Sequence, residues 1–576
     1  MKPETQNPNG KALNEVKPET RNIRQCLILL CGIILTGLIS SKYSFRIDLT
    51  AEKRYTLSSE TKQVLRRLDA PLYVNVYLDG SNLPVQFRKF RNNIREMLDD
   101  IKAYSGSRII YHFIDPADAP NRQEREERYA NLEEAGVRKI SVNKTNKDGS
   151  LSQQIIFPGA ILSYKDRATT VNLLKNKRMV HYETVLNESM EALEYELIKA
   201  VNILSADSIA RVAFLTGHGE LSRAEAYDLA VEFANFYEVE RKTINEQLDA
   251  LDPYKAVIIA KPQTAFDEKD KFIIDRYIMR GGKVMWLIDG VHVNTDSLEV
   301  LNMTIALASE LKLYDQLFMY GVRIEPVVVQ DIESHILFVK DESSQFVPAR
   351  WLYFPLAIPS PNHAITRKLD PVWLRYASVI DTVGYNSEIR KSVLLQTSEL
   401  SRTRNVPCMI SMGEIGRMPE QQQLNKPHRI TAMLLEGQFP SIYRNRNARN
   451  LFPELREKQA EKSVDTKMIV VADGDIARND VRYTLKGVEP DPLGYDSKTG
   501  ITFANKEFLV NALNYLTDDA GLMNLRNREF KLRLLNKKKV SNEQLRWQAI
   551  NLALPMLLLI IGGLGYNRWR RYRYCK

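Results

Sequence analysis

Two long apolar runs lie near the ends of the chain. Residues 25–41 contain no charged side chain, and residues 547–566 form a longer apolar run bordered by Trp547 and Tyr566. A helix rises about 1.5 Å per residue, so the first run is near the minimum length for crossing a bilayer and the second is long enough. Aromatic side chains favour the membrane interface. The pattern predicts one transmembrane helix at each end of the chain.

For the N-terminal run, a cleaved signal peptide is the alternative to an uncleaved anchor. A small-x-small cleavage site is poorly formed there, and the polar leader, residues 1–24, is long. We therefore expect an uncleaved anchor.

Between the two apolar runs, successive segments of residues 43–205 show apolar positions with the period of a strand or with the period of a helix. Strands are predicted at residues 72–78, 108–114, 154–164 and 168–174, and helices at 87–104, 124–134 and 184–204. The order β-α-β-α-β-β-α is the layout of a thioredoxin-like domain. The sequence has no CxxC motif, which excludes thioredoxin chemistry.

Residues 206–519 predict a second α/β domain. Short apolar strands at residues 211–215, 257–260, 284–288 and 468–472 alternate with helices, a pattern typical of a doubly wound parallel sheet. Prolines and charged loops interrupt the strand-like segments of residues 300–460, which predicts a β-rich insertion. Residues 520–546 are polar and basic and predict a stalk that leads to the C-terminal membrane helix.

Composition restricts the membrane contact to the two ends. A mean hydropathy of -0.32 excludes a polytopic transporter. The net charge of +10 comes largely from basic residues that flank the C-terminal run: Lys531, Arg533, Lys537, Lys538, Lys539, Arg546, Arg568, Arg570, Arg571, Arg573 and Lys576. Basic side chains at these positions favour anionic lipid headgroups over nucleic acid.

The distribution of basic residues also predicts the orientation. The basic tail, residues 567–576, and the leader carry lysines and arginines, which favour the cytoplasmic side. We therefore expect a bacterial inner-membrane protein with cytoplasmic termini and a periplasmic body.

Several segments resemble the GldG family, an auxiliary, substrate-binding-like component of an ABC transporter associated with gliding motility. They are the N-terminal anchor, FRIDLTAEKRYTLSSETKQVL (45–65), LDAPLYVNVYLDG (68–80), VAFLTGHGE (212–220), IVVADGD (469–475) and the C-terminal membrane helix. The resemblance implies a second domain with a class I glutamine amidotransferase-like fold that lacks the active site. It also implies a separate permease subunit and a separate cytoplasmic ATPase subunit. The absence of a Walker A motif from this sequence agrees with that division of labour.

The sequence offers no clear catalytic centre. Cys408 is the only cysteine of the region between the membrane helices, and it lies outside any nucleophile elbow. The seven histidines are scattered without a zinc-binding spacing. We expect a non-enzymatic subunit without a cofactor. The alternatives are an extracytoplasmic hydrolase or transferase that acts on the envelope, or a purely structural membrane tether.

One group of side chains is a candidate ligand site. His218, Glu220, Asp289, Asp473 and Asp475 each follow a predicted strand, and ligands of doubly wound sheets bind outside the carboxyl ends of the strands. Carboxylates together favour a hard cation or a cationic group of a small molecule or envelope protein. The alternative is that these residues are helix caps and turn residues. A large cleft there would favour binding, and a filled surface would favour a tether.

Overall fold

The structure, a computed structural model, describes residues 28, 30–32, 34, 56–80, 83–145, 151–175, 182–206, 208–340, 345–384, 388–446, 450–453, 460–484, 487–527 and 537–574. The predicted leader and most of the predicted membrane helix at 25–41 lie outside these residues. The chain divides into two units, Met1–Thr56 and Leu57–Lys576, and the elements below belong to the second.

The N-terminal part of this unit is a four-stranded sheet covered by helices. Its elements are α1 (Ser59–Arg66), β1 (Leu72–Val76), α2 (Val85–Ser105), β2 (Ile109–Phe113), α3 (Arg122–Glu134), β3 (Ile140–Thr145), β4 (Leu151–Ile156), β5 (Gly159–Tyr164), β6 (Arg167–Asn172) and α4 (Tyr182–Leu204). The sheet order is β2-β1-β5-β6, with β1 parallel to β2 and the other pairs antiparallel. The predicted succession of elements is present, with β3 added and one predicted strand divided into β4 and β5.

One predicted strand of this part is wrong. Residues 154–164 were expected to form a single strand, but they divide at Pro158 into β4 and β5. Proline lacks the N–H that a ladder requires. β4 pairs with β3 in a separate two-stranded sheet, whereas β5 pairs with β1 in the main sheet of this part.

The following part contains a ten-stranded sheet and several small ones. Its elements are β7 (Arg211–Thr216), α5 (Tyr227–Ala234), β8 (Glu238–Thr243), β9 (Ala256–Ala260), α6 (Glu268–Met279), β10 (Lys283–Leu287), β11 (Val291–His292), α7 (Thr295–Leu301), β12 (Met303–Ala308), α8 (Tyr314–Met319), β13 (Val322–Glu325), β14 (Val327–Asp331), β15 (Ser334–Lys340), β16 (Phe346–Pro359), β17 (Val372–Trp373), β18 (Val379–Thr382), β19 (Ile389–Gln396), β20 (Ser401–Asn405), β21 (Cys408–Ser411), β22 (Ile430–Gly437), β23 (Thr466–Val471), β24 (Val481–Thr484), β25 (Gly487–Pro490) and α9 (Asn505–Thr517).

The large sheet has the order β15-β16-β19-β22-β23-β10-β9-β7-β8, with β17 paired to β16. β23, β10, β9, β7 and β8 are mutually parallel, and the sequence predicted all of these strands except β8. Every residue of β9 is buried, because Ala256 and Ile258 face one hydrophobic core and Val257 and Ile259 face the other. Helices cover both faces of this parallel region, which explains the uninterrupted apolar strand.

The middle of the chain is part of the same sheet. β16, β19 and β22 lie within residues 300–460 and continue the sheet antiparallel from β23. The segment predicted as an insertion therefore enlarges the main sheet and also supplies the smaller sheets beside it.

The C-terminal end contains packed residues and then a long exposed helix. Leu522, Met523 and Leu525 belong to a short 3-10 helix and are buried in the core, so the beginning of the predicted stalk is packed against the body. α10 (Lys537–Tyr574) follows. Among the described residues, its segment Asn542–Arg573 is the one helix long and apolar enough to cross a membrane; its most apolar 18-residue stretch has a mean hydropathy of 1.9, and none of that stretch is buried.

Candidate functional site

The parallel strands bring three of the predicted site residues together. β10 and β23 are neighbours, with Leu287 opposite Val471, so the loops that follow them meet at one edge of the sheet. The carboxylates of Asp289, Asp473 and Asp475 have oxygens within 4.8 Å of one another, a spacing that could hold a metal ion. We call these three side chains the aspartate cluster.

Backbone N–H groups hold the aspartate cluster in place. The Gly474 N–H donates to Asp289 Oδ1 at 2.5 Å, and the Asp475 N–H donates to Asp473 Oδ1 at 2.8 Å. The Arg375 N–H donates to Asp473 Oδ2 at 2.7 Å. These bonds join the loops after β10, β17 and β23, so the carboxylates also act as connectors within the fold.

A lysine of the chain occupies a position beside these carboxylates. Lys261 directly follows β9, and its Nζ lies 3.4 Å from Asp289 Oδ2 and forms an ion pair with Asp475. Gly474 passes so close to Lys261 that a Cβ at residue 474 would lie 2.6 Å from the Lys261 Cβ. An ammonium group thus supplies the positive charge that the cluster would otherwise take from a bound cation.

Burial and the charges of neighbouring groups shift the pKa values of the three carboxylates of the aspartate cluster in different directions. Burial raises the pKa of Asp473 well above its usual value, and the charges of Asp475 and Asp289 raise it further. Burial also raises the pKa of Asp289, against the opposing charge of Lys261. For Asp475, burial acts in the same direction, but the charges of Lys261 and Arg375 outweigh it and lower the pKa. The favoured state is a charged Lys261–Asp475 pair.

Two arginines surround the aspartate cluster. Arg375 binds Asp480 through both guanidinium nitrogens, at 2.9 and 3.0 Å, and lies over the ring of Trp373. Arg478 places Nη1 3.5 Å from Asp475 Oδ1. Their charges compensate the buried carboxylates, as buried charges generally require.

The other two predicted residues form a separate group. His218 Nδ1 lies 3.2 Å from Glu220 Oε1, and Nε2 lies 2.9 Å from Asp270 Oδ2. The ring stacks on Phe266 at 3.7 Å between centroids. Burial lowers the pKa of His218, but the hydrogen bonds to Asp270 and Glu220 outweigh burial and raise it to about 9. The structure therefore places His218 and Glu220 in a charged network of their own.

Sequence reasoning did not identify Lys261, Arg375, Arg478 or Asp270. Lys261 shares the position that drew attention to the aspartates, immediately after an apolar strand, and a search for basic residues at strand ends would have found it. Arg375 follows no such pattern, because long-range folding brings it to the cluster, whereas Arg478 lies only three residues beyond Asp475.

One small cavity lies at the strand ends, beside Asp289. The cavity beside Asp289 measures about 20 Å³ and is lined mainly by apolar residues, including Leu311, Leu317 and Ile324. This volume suits about one water molecule. A larger cleft of about 500 Å³ lies in the N-terminal part, beside Arg138, with Lys175 among its lining residues. The cavity beside Asp289 is therefore too small for a molecule much larger than water.

Comparisons with known proteins give a family and a full-length relative. The family described as "ABC-type uncharacterized transport system" matches residues 210–512, more than half of the chain. A domain of unknown function, DUF7088, matches residues 51–163. An uncharacterized protein of Borreliella burgdorferi is 21% identical over 570 residues, which cover 97% of this chain and 99% of that protein. Among solved structures, the mmIFT52 N-terminal domain aligns with 53% of this chain and 97% of its own length, at 10% identity and a TM-score of 0.31.

Proposed function

The chain belongs to the family described as ABC-type uncharacterized transport system, and from this we propose that it is a non-catalytic scaffolding subunit of an ABC transporter complex. The family supports an auxiliary, transport-associated role. The finer proposal is that the folded body lies in the periplasm, both termini lie in the cytoplasm, and the partners are a permease subunit and a cytoplasmic ATPase subunit.

Helix α10 is the observation that carries this proposal. Its apolar side chains, including Leu557, Leu558 and Ile561, are exposed along the helix. Apolar surface of this extent requires lipid or other membrane helices to cover it. The basic tail that follows favours a cytoplasmic C-terminus.

The energy source is proposed to be another chain. The sequence contains no Walker A motif, so ATP hydrolysis would come from the ATPase subunit. A role in gliding motility, which the GldG resemblance implies, is a further part of this proposal.

The two domains are proposed to be thioredoxin-like over residues 43–205 and amidotransferase-like over 206–519. The matches at residues 51–163 and 210–512 each fall within one of these domains, which supports the boundary between them. The parallel strand order β8-β7-β9-β10-β23 corresponds to the flavodoxin-like order 2-1-3-4-5.

Co-purification from native membranes in mild detergent tests the complex. We expect the tagged full-length chain to retain a permease and an ATPase subunit. Recovery of the intact chain without either subunit, under conditions that preserve other membrane complexes, would contradict the proposal.

A reporter tests the orientation separately. Alkaline phosphatase fused after Leu65 is expected to be active, because it would lie outside the cytoplasm. A fusion after residue 20 is the matched control and is expected to be inactive. The opposite pattern would reverse the topology without bearing on complex formation.

For the aspartate cluster, we propose a structural role in joining the strand-end loops. Calorimetric titration of the full-length chain with Ca²⁺ is expected to give no heat beyond dilution, since Lys261, Arg375 and Arg478 already compensate the carboxylates. Heat that disappears in Asp473→Ala would instead favour a cation-binding function.

A further inference from the structure

The two chain segments that lead to the predicted membrane helices leave the body at neighbouring points. At the N-terminal end, the Ser58 N–H and the Thr61 hydroxyl both donate to Glu194 Oε1, at 2.9 and 2.7 Å. At the C-terminal end, the Tyr195 hydroxyl donates to Met523 Sδ at 3.0 Å. Glu194 and Tyr195 are consecutive residues of α4, so one helix holds both ends of the body.

The connection to α10 limits how far this side of the body can lie from the bilayer. Nine residues, 528–536, separate the last packed 3-10 helix from α10. An extended residue spans at most about 3.6 Å, so this connection reaches no more than roughly 32 Å. The part of the body around α1 and α4 is therefore expected to face the membrane. This step rests on the membrane span of α10, which the proposed function also uses.

Helix α1 carries a basic and aromatic surface at this place. The Arg66 Nε donates to the Tyr104 hydroxyl at 3.0 Å. Lys62 lies one turn earlier on α1, and its Nζ is 5.7 Å from the centre of the same ring. The Arg108 Nη1 donates to the Leu68 carbonyl at 2.9 Å, which brings a third cation to the C-terminal end of α1. We call Lys62, Arg66, Tyr104 and Arg108 the α1 surface.

The positive charge of the α1 surface is uncompensated among the described residues. No Asp or Glu oxygen of that part of the chain lies within 4.0 Å of a side-chain nitrogen of its three cations. Glu60 is the one acidic residue within α1, and Asp69, the first acidic residue after it, is paired with Lys165 at 2.9 Å. Lys62 lies in the first half of α1, where the helix dipole does not favour a cation.

This chemistry fits the headgroup layer of a bilayer. Anionic lipid headgroups attract lysine and arginine side chains that lie near the membrane surface. Tyrosine rings favour the same interface, and Tyr104 is 37% exposed. We propose that the α1 surface docks on anionic lipid headgroups and so holds the body against the bilayer.

The full-length protein in nanodiscs tests this docking. Gln63 is exposed and adjoins Lys62, so Gln63→Cys can carry a fluorescent label in a background that lacks the native cysteines. With lipids that carry a nitroxide quencher on the headgroup, the label should be quenched more strongly in discs that contain phosphatidylglycerol than in discs of phosphatidylcholine alone. Val488→Cys on β25 is the reference position, and its label should show no such difference.

Charge substitutions on α1 identify the docking residues. Lys62→Gln combined with Arg66→Gln should remove the difference, since each basic side chain near an anionic surface strengthens binding by about fivefold. Lys62→Arg combined with Arg66→Lys is the matched control, because it keeps both charges, and it should dock like the wild type. A salt concentration of about 1 M shortens the Debye length to about 3 Å and should release the unsubstituted α1 surface, a test that no misfolded variant can disturb.

Two results would overturn the docking. One is a chain that stays in the nanodisc but whose residue-63 label is quenched equally in neutral and anionic discs. The other is a lipid-dependent difference that persists in the Lys62→Gln, Arg66→Gln variant, including the case in which this variant loses the permease instead, which would assign the α1 surface to a protein partner. The proposed function is tested separately, because an undocked body that retains its permease and ATPase leaves that function intact, whereas a chain that leaves the nanodisc contradicts the membrane span on which both depend.

Discussion

At the scale of single residues, Lys261 organises the strand-end site. Its ammonium group contacts Asp289 and Asp475, and it is largely buried together with them. Removing one member of a buried ion pair leaves the other charge uncompensated, which costs more than the loss of an exposed pair.

Lys261→Met is expected to lower the free energy of unfolding by about 3–5 kcal/mol, because Asp475 would lose its nearest cation. Chemical denaturation of the full-length chain in detergent measures this change. Lys269→Met is the matched control, since Lys269 pairs with Glu246 at an exposed site, and it should cost about 1 kcal/mol or less. Adding Asp475→Asn to Lys261→Met should recover part of the loss. Equal effects of the two lysine variants would contradict the role of Lys261.

The raised pKa of His218 predicts that the stability of the folded chain depends on pH. Its pKa in the folded chain is about 9, above the ordinary 6.5, so the stabilisation by its protonated form is complete below about pH 6.5 and is lost as the pH rises through 9. The thermal midpoint of the wild type should therefore fall over this interval, and His218→Gln should flatten that fall.

His428→Gln is the matched control, because His428 lies on an exposed turn. It should retain the pH dependence of the wild type. A His218→Gln profile parallel to that of the wild type would show that the Glu220–His218–Asp270 network does not contribute to stability.

At the scale of elements, the local sequence predicted the positions of helices more accurately than it predicted which strands form and pair. Ser58 is the N-cap of α1, because its Oγ accepts a hydrogen bond from the Thr61 N–H at 3.0 Å. β8, with the sequence EVERKT, was missed, because an edge strand of the sheet alternates without a strong apolar run.

Ser58→Ala is expected to destabilise α1 by about 1 kcal/mol, since the N-cap acceptor is lost. Hydrogen exchange measured on the peptide that covers α1 should show protection reduced about fivefold. Ser59→Ala is the control, because Ser59 is the first helical residue and is exposed. Unchanged protection in Ser58→Ala would show that the cap is dispensable, for instance because the Ser58 N–H bond to Glu194 at 2.9 Å is sufficient.

At the scale of the whole molecule, α10 is expected to determine where the body is held. Its apolar length agrees with the predicted membrane span at residues 547–566, and the helix continues beyond both limits. The packed residues Leu522, Met523 and Leu525 leave only a short connection between the body and this helix. The body is therefore expected to stay close to the membrane surface.

Leu558→Arg combined with Ile561→Arg should prevent insertion of α10, because each central arginine costs roughly 2.5–3.5 kcal/mol. A fluorescent protein that matures only in the cytoplasm, fused after Lys576, should lose its fluorescence. Leu545→Arg is the matched control, since Leu545 lies before the apolar centre, and it should retain fluorescence. Bright fluorescence from the double variant would indicate that α10 does not carry the C-terminus across the membrane.

The sequence by itself determined the features that depend on neighbouring residues. Apolar period and length identified α10, the parallel strands β7, β9, β10 and β23, and the aspartates that follow the last two. A strand or helix depends mainly on the few residues around each position, so these patterns are visible without the fold.

Only the tertiary structure decided which distant groups meet. Arg375 pairs with Asp480, 105 residues further along the chain, and Lys261 reaches Asp475 across the strand ends. The structure likewise placed β16, β19 and β22 in the main sheet and separated His218 from the aspartate cluster. Such contacts follow from strand order and loop closure, which depend on the packing of the whole chain rather than on local periodicity.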